Sequence, residues 1–356
     1  DKLIGVFGSK ENIYNEPDGF FLPVPKPRLH ELYYKKGAEK AGVKVMPSRM
    51  SILTKRINQE RGVCFYCNQC SRSCQVYADF SAGSCLIFPA QKSGGQIALY
   101  TDSMVREVTV DGNGKATGVN YIDKKSGLDY SIKAKVVVMA ASSCSTARIL
   151  LNSKSASHPN GLGNSSGLIG KYLHDSTGGG RMGFVPNLMN RKTYNEDGVG
   201  GMHLYSPWWL DNKKLDFARG YHIEVWGGLG APSYGFGFNP NDLNSFFGKP
   251  VGGYGESLRQ DVKKYYGSLI GMDGRGESIA RKENYCEIDP NRKDQWGIPV
   301  LRFNYKWSDE ELKQAKHMQN TFEEIITNMG GIPLGEKPGR DKNYGLQTPG
   351  RIIHEV

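Results

Sequence analysis

The sequence predicts a mixed fold, α/β plus α+β, on three observations. First, Val136-Val137-Val138-Met139-Ala140-Ala141 is continuously apolar, as expected of a strand buried on both faces of a parallel sheet. A small-residue turn and a helical pattern follow it. Second, residues 105–110, 116–121 and 130–135 alternate and are broken by Asp111-Gly112-Asn113-Gly114 and by residues 124–127. Such turns between alternating runs predict an antiparallel meander. Third, from about 177 to 299 short aromatic runs are separated by Gly, Pro, Asn and Asp, the texture of a second, mainly antiparallel sheet.

Taken in chain order, residues 28–42 place Leu29, Leu32, Tyr33 and Ala38 at helical spacing between Pro27 and Gly42, ordinary start and stop signals. Residues 43–46 and 96–101 read as strands. Ser142-Ser143 is a tight turn into a helix over 144–151, and strand, small turn, helix is where an α/β sheet places a ligand. Residues 202–205, 221–226 and 234–238 read as strands of the second sheet. Ser308-Asp309-Glu310-Glu311 is a capping box. Leu312, Ala315, Met318, Phe322, Ile325, Ile326 and Met329 then line one side of a helix that Gly330-Gly331 ends.

Composition excludes several classes. With 38% hydrophobic and 23% charged residues in 356, the chain is globular and long enough for a large core. Its 45 glycines follow no three-residue period, so collagen is excluded. No apolar run reaches the roughly 18–20 residues of a membrane helix. Lysine plus arginine exceeds the acids by 46 to 36, a formal +10. The basic stretches 26–40, 49–61 and 124–135 are interleaved with acids or apolar periodicity, so no nucleic-acid stripe is expected. The opening Asp1-Lys2-Leu3-Ile4 and the end at His354-Glu355-Val356 read as an excerpt of a longer protein.

Cys64, Cys67, Cys70 and Cys74 lie within eleven residues as C-x2-C-x2-C-x3-C, with Cys85 following and Cys144 and Cys286 apart. This is the spacing of the bacterial ferredoxin run, without the proline after its fourth cysteine. A multi-iron cluster offers several iron corners to one short looping segment. Structural zinc, which usually separates two C-x2-C pairs by a dozen or more residues, is one alternative, and disulfides are another. The spacing leaves open a three-iron centre on Cys64, Cys70 and Cys74 or a four-iron one.

Three further segments carry a resemblance. Residues 140–151 (AASSCSTARILL) are similar to the second signature of the glucose–methanol–choline (GMC) flavoprotein oxidoreductases. Residues 158–175 (HPNGLGNSSGLIGKYLHD) resemble that family's next landmark, HPNGLANSSGLVGRNLMDH. Asp289-Pro290, Asp294 and Trp296-Gly297-Ile298-Pro299 resemble its return from the substrate domain. The cysteine run before these landmarks contains C-x5-C-x3-C (Cys64, Cys70, Cys74), similar to the membrane-linked, iron–sulfur-containing dehydrogenases of the family, with Cys67 as an extra thiol.

The resemblance implies part of a GMC-type FAD-binding domain joined to a substrate domain on a mainly antiparallel sheet. It divides the chain into a lead-in (1–63), a cysteine-rich cluster-binding insert (64–90), FAD-domain residues (91–176), a substrate domain (177–335) and a return (336–356). It implies FAD beside Val105, Ala140 and Ala141, and an iron–sulfur cluster (3Fe–4S or 4Fe–4S) on Cys64, Cys67, Cys70 and Cys74. His354 falls where the family carries its catalytic histidine. His174 reads as structural and Cys144 as a packing residue. Tyr205, Trp208, Trp209 and Trp226 are candidates to stack on a sugar. The family's N-terminal G-x-G-x-x-G is not in this sequence, so firm FAD binding by these residues alone is not expected. The implied activity is oxidation of a sugar, sugar-acid or polyol hydroxyl by hydride transfer to flavin. The cluster would relay electrons to a small subunit and cytochrome, with a lean to the periplasm. The rival reading is a non-enzymatic iron–sulfur or zinc module that binds a partner.

Overall fold

The computed structural model describes residues 2–10, 19–67, 70, 73–191, 201–207, 215–227 and 240–348. In chain order the elements are α1 (Leu29–Lys40), β1 (Met46–Pro47), α2 (Phe88–Lys92), β2 (Ser103–Val110), β3 (Ala116–Asp123), β4 (Asp129–Lys133), α3 (Ser143–Asn152), β5 (Ser176–Phe184), β6 (Leu204–Pro207), β7 (Tyr221–Gly227), α4 (Pro240–Phe247), α5 (Glu256–Tyr265), β8 (Leu269–Glu277), β9 (Tyr285–Lys293), β10 (Pro299–Asn304), α6 (Asp309–Asn328) and β11 (Ile332–Pro333). They fall into two compact units, residues 1–97, 177–277 and 309–347 forming one and residues 98–176, 278–308 and 348–356 the other.

The first unit is built on a six-stranded sheet in the order β1-β6-β7-β8-β5-β11. Strand alternation sorts its side chains into two faces. Tyr221, Ile223 and Val225 of β7 and Ile270 and Met272 of β8 point to one face. There they pack on Tyr34 and Ala38 of α1 and on Met318, Phe322, Ile325 and Ile326 of α6. Phe322 is fully buried in that core, so truncating it to Ala would cost about 3–5 kcal/mol. Gly37 lets α1 approach α6, since a Cβ there would meet Met329 and the Ile325 carbonyl. On the opposite face, Leu243 of α4 and Tyr265 of α5 close over Phe184 and Leu269 at one end of the sheet. The rest of that face carries polar residues.

The second unit holds the antiparallel meander β2-β3-β4 and the β9–β10 hairpin. Asp111 Oδ1 accepts from the Asn113 and Lys115 amides at the first turn, and Gly114 supplies its positive φ of 76°. Helix α3 is tied to β2 by the Ser153 hydroxyl, which accepts from the Val108 amide at 2.8 Å.

The helices over 28–42, 144–151 and 309–329 and the three-stranded meander occur where the patterning places them. Three expectations do not hold. Residues 136–141 form no strand: Val136 and Val138 are 75% and 82% exposed. Residues 96–101 form none either, and Ile97, Leu99 and Tyr100 are exposed. Apolar content signals strand burial only when neighbouring strands are present to pair, and no described strand pairs with either run. Of residues 43–46 only Met46 enters a strand, because β1 meets β6 over just two residue pairs. The run 234–238 lies outside the described residues.

Candidate functional site

The cysteine segment is folded over a small core of Phe7, Leu22, Ile52, Leu53 and Ala78. Backbone bonds hold its two ends together: the Cys64 amide donates to the Leu53 carbonyl (2.9 Å), Gly62 to Val76 (2.7 Å) and Leu53 to Ala78 (2.9 Å). Arg61 reinforces this closure from inside. It is 2% exposed and donates to three carbonyls, Tyr77 (2.9 Å), Ile4 (2.7 Å) and Ala78 (3.1 Å). Tyr66, Ser73 and Tyr77 are left-handed, with φ of 63°, 73° and 56°. Non-glycine residues rarely adopt that region, and such strain collects at functional sites.

Cys64, Cys67, Cys70 and Cys74 line one cavity of about 20 Å³, whose other walls include Ile52, Phe65, Val76 and Asp79. None of the seven cysteines is in a disulfide. Burial pushes the Cys64 thiol up; the Tyr66 amide, hydrogen-bonded to it, partly offsets this, and Cys67, Cys74 and Asp79 push it further up. Among the described residues no three Cys, His, Asp or Glu side chains are placed to hold one metal ion. Four thiolates on one zinc would stand about 3.8 Å apart, from ~2.3 Å bonds at tetrahedral angles. Thiolate is a ligand that both zinc and iron–sulfur clusters use, but as placed here the four thiols of this largely apolar pocket do not form a metal-holding group.

The turn before α3 forms a second cavity, of about 480 Å³, bordered by Met139, Ala140, Ser142, Ser143, Thr146 and Ala147. Ser142 turns the chain there with a φ of 65°. Small side chains and hydroxyls at a helix start suit the approach of a nucleotide cofactor, so the residues present fit part of an FAD site. Ala140 borders this cavity. Ala141 is exposed beside it and is not part of the lining. Val105 is half-buried in β2 opposite Tyr121 and does not border it.

Arg148 secures this turn from the next turn of α3. Its guanidinium donates to Asp294 Oδ2 (2.7 Å) and to the Pro299 (2.8 Å) and Ile298 (3.0 Å) carbonyls. Asp294 Oδ1 in turn accepts from the Trp296 and Ile298 amides. Two segments of the family resemblance, 140–151 and 294–299, are thereby joined.

The polar face of the six-stranded sheet forms a third constellation. Register places His222 opposite Arg275, Glu224 opposite Asp273 and Trp226 opposite Gly271. Trp226 Nε1 donates to Asp273 Oδ2 at 2.7 Å. Glu224 Oε1 lies 3.1 Å from His222 Nε2 and its Oε2 lies 3.6 Å from Arg275 Nε. Burial alone would raise Glu224, but the hydrogen bonds and charges of His222 and Arg275 outweigh it and hold its carboxyl below the usual range. Burial pushes Asp273 up, and Arg275 and Trp226 only partly offset that. Gly180 of β5 leaves room beside Asp273, since a Cβ there would run into Oδ1. Perturbed carboxylates beside an indole that is 42% exposed can accept hydroxyl hydrogen bonds and offer a flat face to C–H groups.

Trp226 was expected from the sequence. Glu224, Asp273, Arg275 and His222 were not, although YHIEVWG over β7 (221–227) alternates with period two and places His, Glu and Trp together. Tyr205 shares their face, its ring 6.3 Å from His222. His174 is exposed, with Nδ1 3.2 Å from the Tyr172 carbonyl. His354, Trp208 and Trp209 lie outside the described residues.

Residues 26–177 match the GMC oxidoreductase family, and the chain belongs to it. It is similar to the 2-methyl-1,2-propanediol dehydrogenase of Mycolicibacterium austroafricanum, 30% identical over 239 residues, covering 67% of this chain and 41% of that protein. The gluconate 2-dehydrogenase flavoprotein of Pantoea cypripedii is 27% identical over 353 residues, 92% of this chain and 53% of that one. The fructose dehydrogenase large subunit of Gluconobacter japonicus is 22% identical, covering 80% and 49%. The chain thus spans about half the length of these relatives.

Proposed function

We propose that the protein is the catalytic subunit of an FAD-dependent dehydrogenase. It oxidises a hydroxyl of a sugar, sugar acid or polyol, and Cys64, Cys67, Cys70 and Cys74 would hold an iron–sulfur cluster that would supply an onward electron relay. The supporting observation is the presence, in one GMC chain, of a four-thiol pocket and a sheet face of carboxylates beside an indole. FAD, when bound, supplies the hydride acceptor. The cavity at Ala140 would take part of that cofactor; Ala141 and Val105, which do not line it, are assigned to the cofactor by the family resemblance alone. His354 accepts the hydroxyl proton, since imidazole titrates near neutral pH. Glu224 and Asp273 accept hydrogen bonds from substrate hydroxyls and Trp226 stacks on the carbon skeleton. In this assignment residues 91–176 serve the FAD domain and 177–335 the substrate domain. The likeness to a dehydrogenase large subunit supports a smaller partner subunit; a cytochrome acceptor and a periplasmic site of action complete the same reading.

The test is anaerobic reduction of the full-length flavoprotein by a panel of sugars, aldonic acids and polyols. At least one compound should bleach the flavin, and His354→Ala should lower turnover by about 10²–10⁴-fold. A flavin that no compound on the panel reduces would overturn the proposal.

A further inference from the structure

We infer that the polar face of the six-stranded sheet selects uncharged sugars and polyols over sugar acids, with Glu224 and Asp273 as the residues that turn a substrate carboxylate away. The inference rests on the reading above that this face binds the substrate, and it narrows the three substrate classes named there to two.

Three observations carry it. The first is the balance of charge. Strand register puts four ionisable side chains of β7 and β8 on this face, His222, Glu224, Asp273 and Arg275. The one guanidinium among them lies 3.6 Å from Glu224 Oε2 and is offset by it. Asp273 has a neutral partner instead, since its Oδ2 accepts from the Trp226 indole at 2.7 Å. Arg181 of β5 adds no charge here. Its guanidinium donates to the Gly335 and Glu336 carbonyls and lies 3.9 Å from Glu323 of α6. An arriving carboxylate therefore meets two others and a guanidinium that is already paired, and like charges brought together cost affinity.

The second is the pattern of donors and acceptors. Asp273 Oδ1 points to Gly180, whose missing Cβ leaves space beside it. A carboxylate oxygen in that position calls for a donor. A substrate hydroxyl brings one. A substrate carboxylate brings only lone pairs and sets acceptor against acceptor. The third is the platform. The Trp226 ring lies over Gly271, where a Cβ would meet it, and its N–H is already given to Asp273. What it offers a ligand is the electron-rich face of the ring, which takes C–H groups and repels an anion.

The experiment uses the full-length flavoprotein loaded with FAD, at about pH 8, where imidazole as a class is uncharged. kcat/KM is measured for matched pairs that differ by one carboxylate: glucitol against gluconate, and methyl glucopyranoside against its uronic acid. Where the wider panel identifies another carbon skeleton, its alcohol and its acid make the pair. Wild type should favour the neutral compound by about tenfold or more, and about 0.5 M salt should narrow that gap by screening. Glu224→Gln leaves Arg275 without its counter-ion, so it should raise kcat/KM for the acid, lower it for the neutral compound and shrink their ratio about tenfold. Asp273→Asn should shift the ratio in the same sense. Variants that lower both compounds together and leave the ratio unmoved have a structural role only, and overturn the assignment. Wild type that oxidises the acid as well as the neutral form overturns the selectivity and leaves the dehydrogenase reading in place. A flavin that no compound reduces overturns that reading, and the selectivity with it. If the variants do not fold, the wild-type ratio and its salt dependence decide alone.

Discussion

Glu224 and Asp273 face each other across the β7–β8 pair and are driven in opposite directions. His222 and Arg275 keep the first ionised against its burial, while burial favours the proton on the second. Two carboxyls side by side with different proton affinities can accept from one hydroxyl and donate to or accept from its neighbour. Replacing Asp273 with Asn should raise KM for the oxidised substrate severalfold while kcat changes little, since the residue is assigned to binding. An equal fall in kcat with KM unmoved would contradict that assignment.

The same residue sets a pH dependence. The folded state holds the Asp273 proton more tightly than the unfolded chain does, so its contribution to stability falls as pH rises from the ordinary aspartate value of about 3.9 through the raised one. Asp273→Asn removes this loss and keeps an acceptor for Trp226. The variant should therefore melt above wild type at pH 7, with the advantage fading on acidification towards pH 4. Thermal denaturation across that range would detect the crossover, and a variant less stable at every pH would count against it.

Trp226 lies over Gly271, whose missing Cβ leaves space for the indole. Gly271→Ala should push the ring away, weaken its 2.7 Å bond to Asp273 and cost about 1–3 kcal/mol. Trp226 fluorescence should shift to the red. An unchanged emission maximum and melting point would mean that the strands adjust without displacing the ring.

Arg61 spans both ends of the cysteine segment through three carbonyls. Arg61→Ala strands buried acceptors and should cost about 3 kcal/mol, together with most of the iron of the proposed cluster. Arg61→Lys should rescue little, because a compact ammonium cannot reproduce the three-way fork. Full iron retention in the lysine variant would show that charge alone suffices.

Arg148 and Asp294 give the opposite pH sign. Burial would raise Asp294, but the bond to Arg148 and the Ile298 and Trp296 amides prevail and lower it. The stability it contributes is present above the ordinary aspartate value and is lost as pH falls through the lowered one. Asp294→Asn should cost about 1–2 kcal/mol at pH 7 and less with increasing acidity, measurable by urea denaturation at pH 7 and pH 3.

Elements that carry their own local signal were legible. Helix α6 shows a capping box and a 3.6-residue apolar stripe, and the meander shows turn residues at the turns. The four cysteines were legible by spacing alone. The polar face was not, because Glu224 and Asp273 lie 49 residues apart, His222 and Arg275 lie 53 apart, and the pairs meet only through strand register; single-sequence patterning marks their alternation but not their neighbours. Residues 136–141 were misread for a related reason: an apolar run specifies burial, and only a pairing partner specifies a strand.

The extended run through Val136 and Val138, with Leu99 and Tyr100 similarly bare, has a consequence for handling the protein. Unpaired backbone flanked by apolar side chains is a template for strand addition. Preparations of this chain alone should therefore scatter more light with rising concentration, and a charged residue at Val138 should delay the onset. A run of backbone that no described strand covers would then also govern the protein's colloidal behaviour.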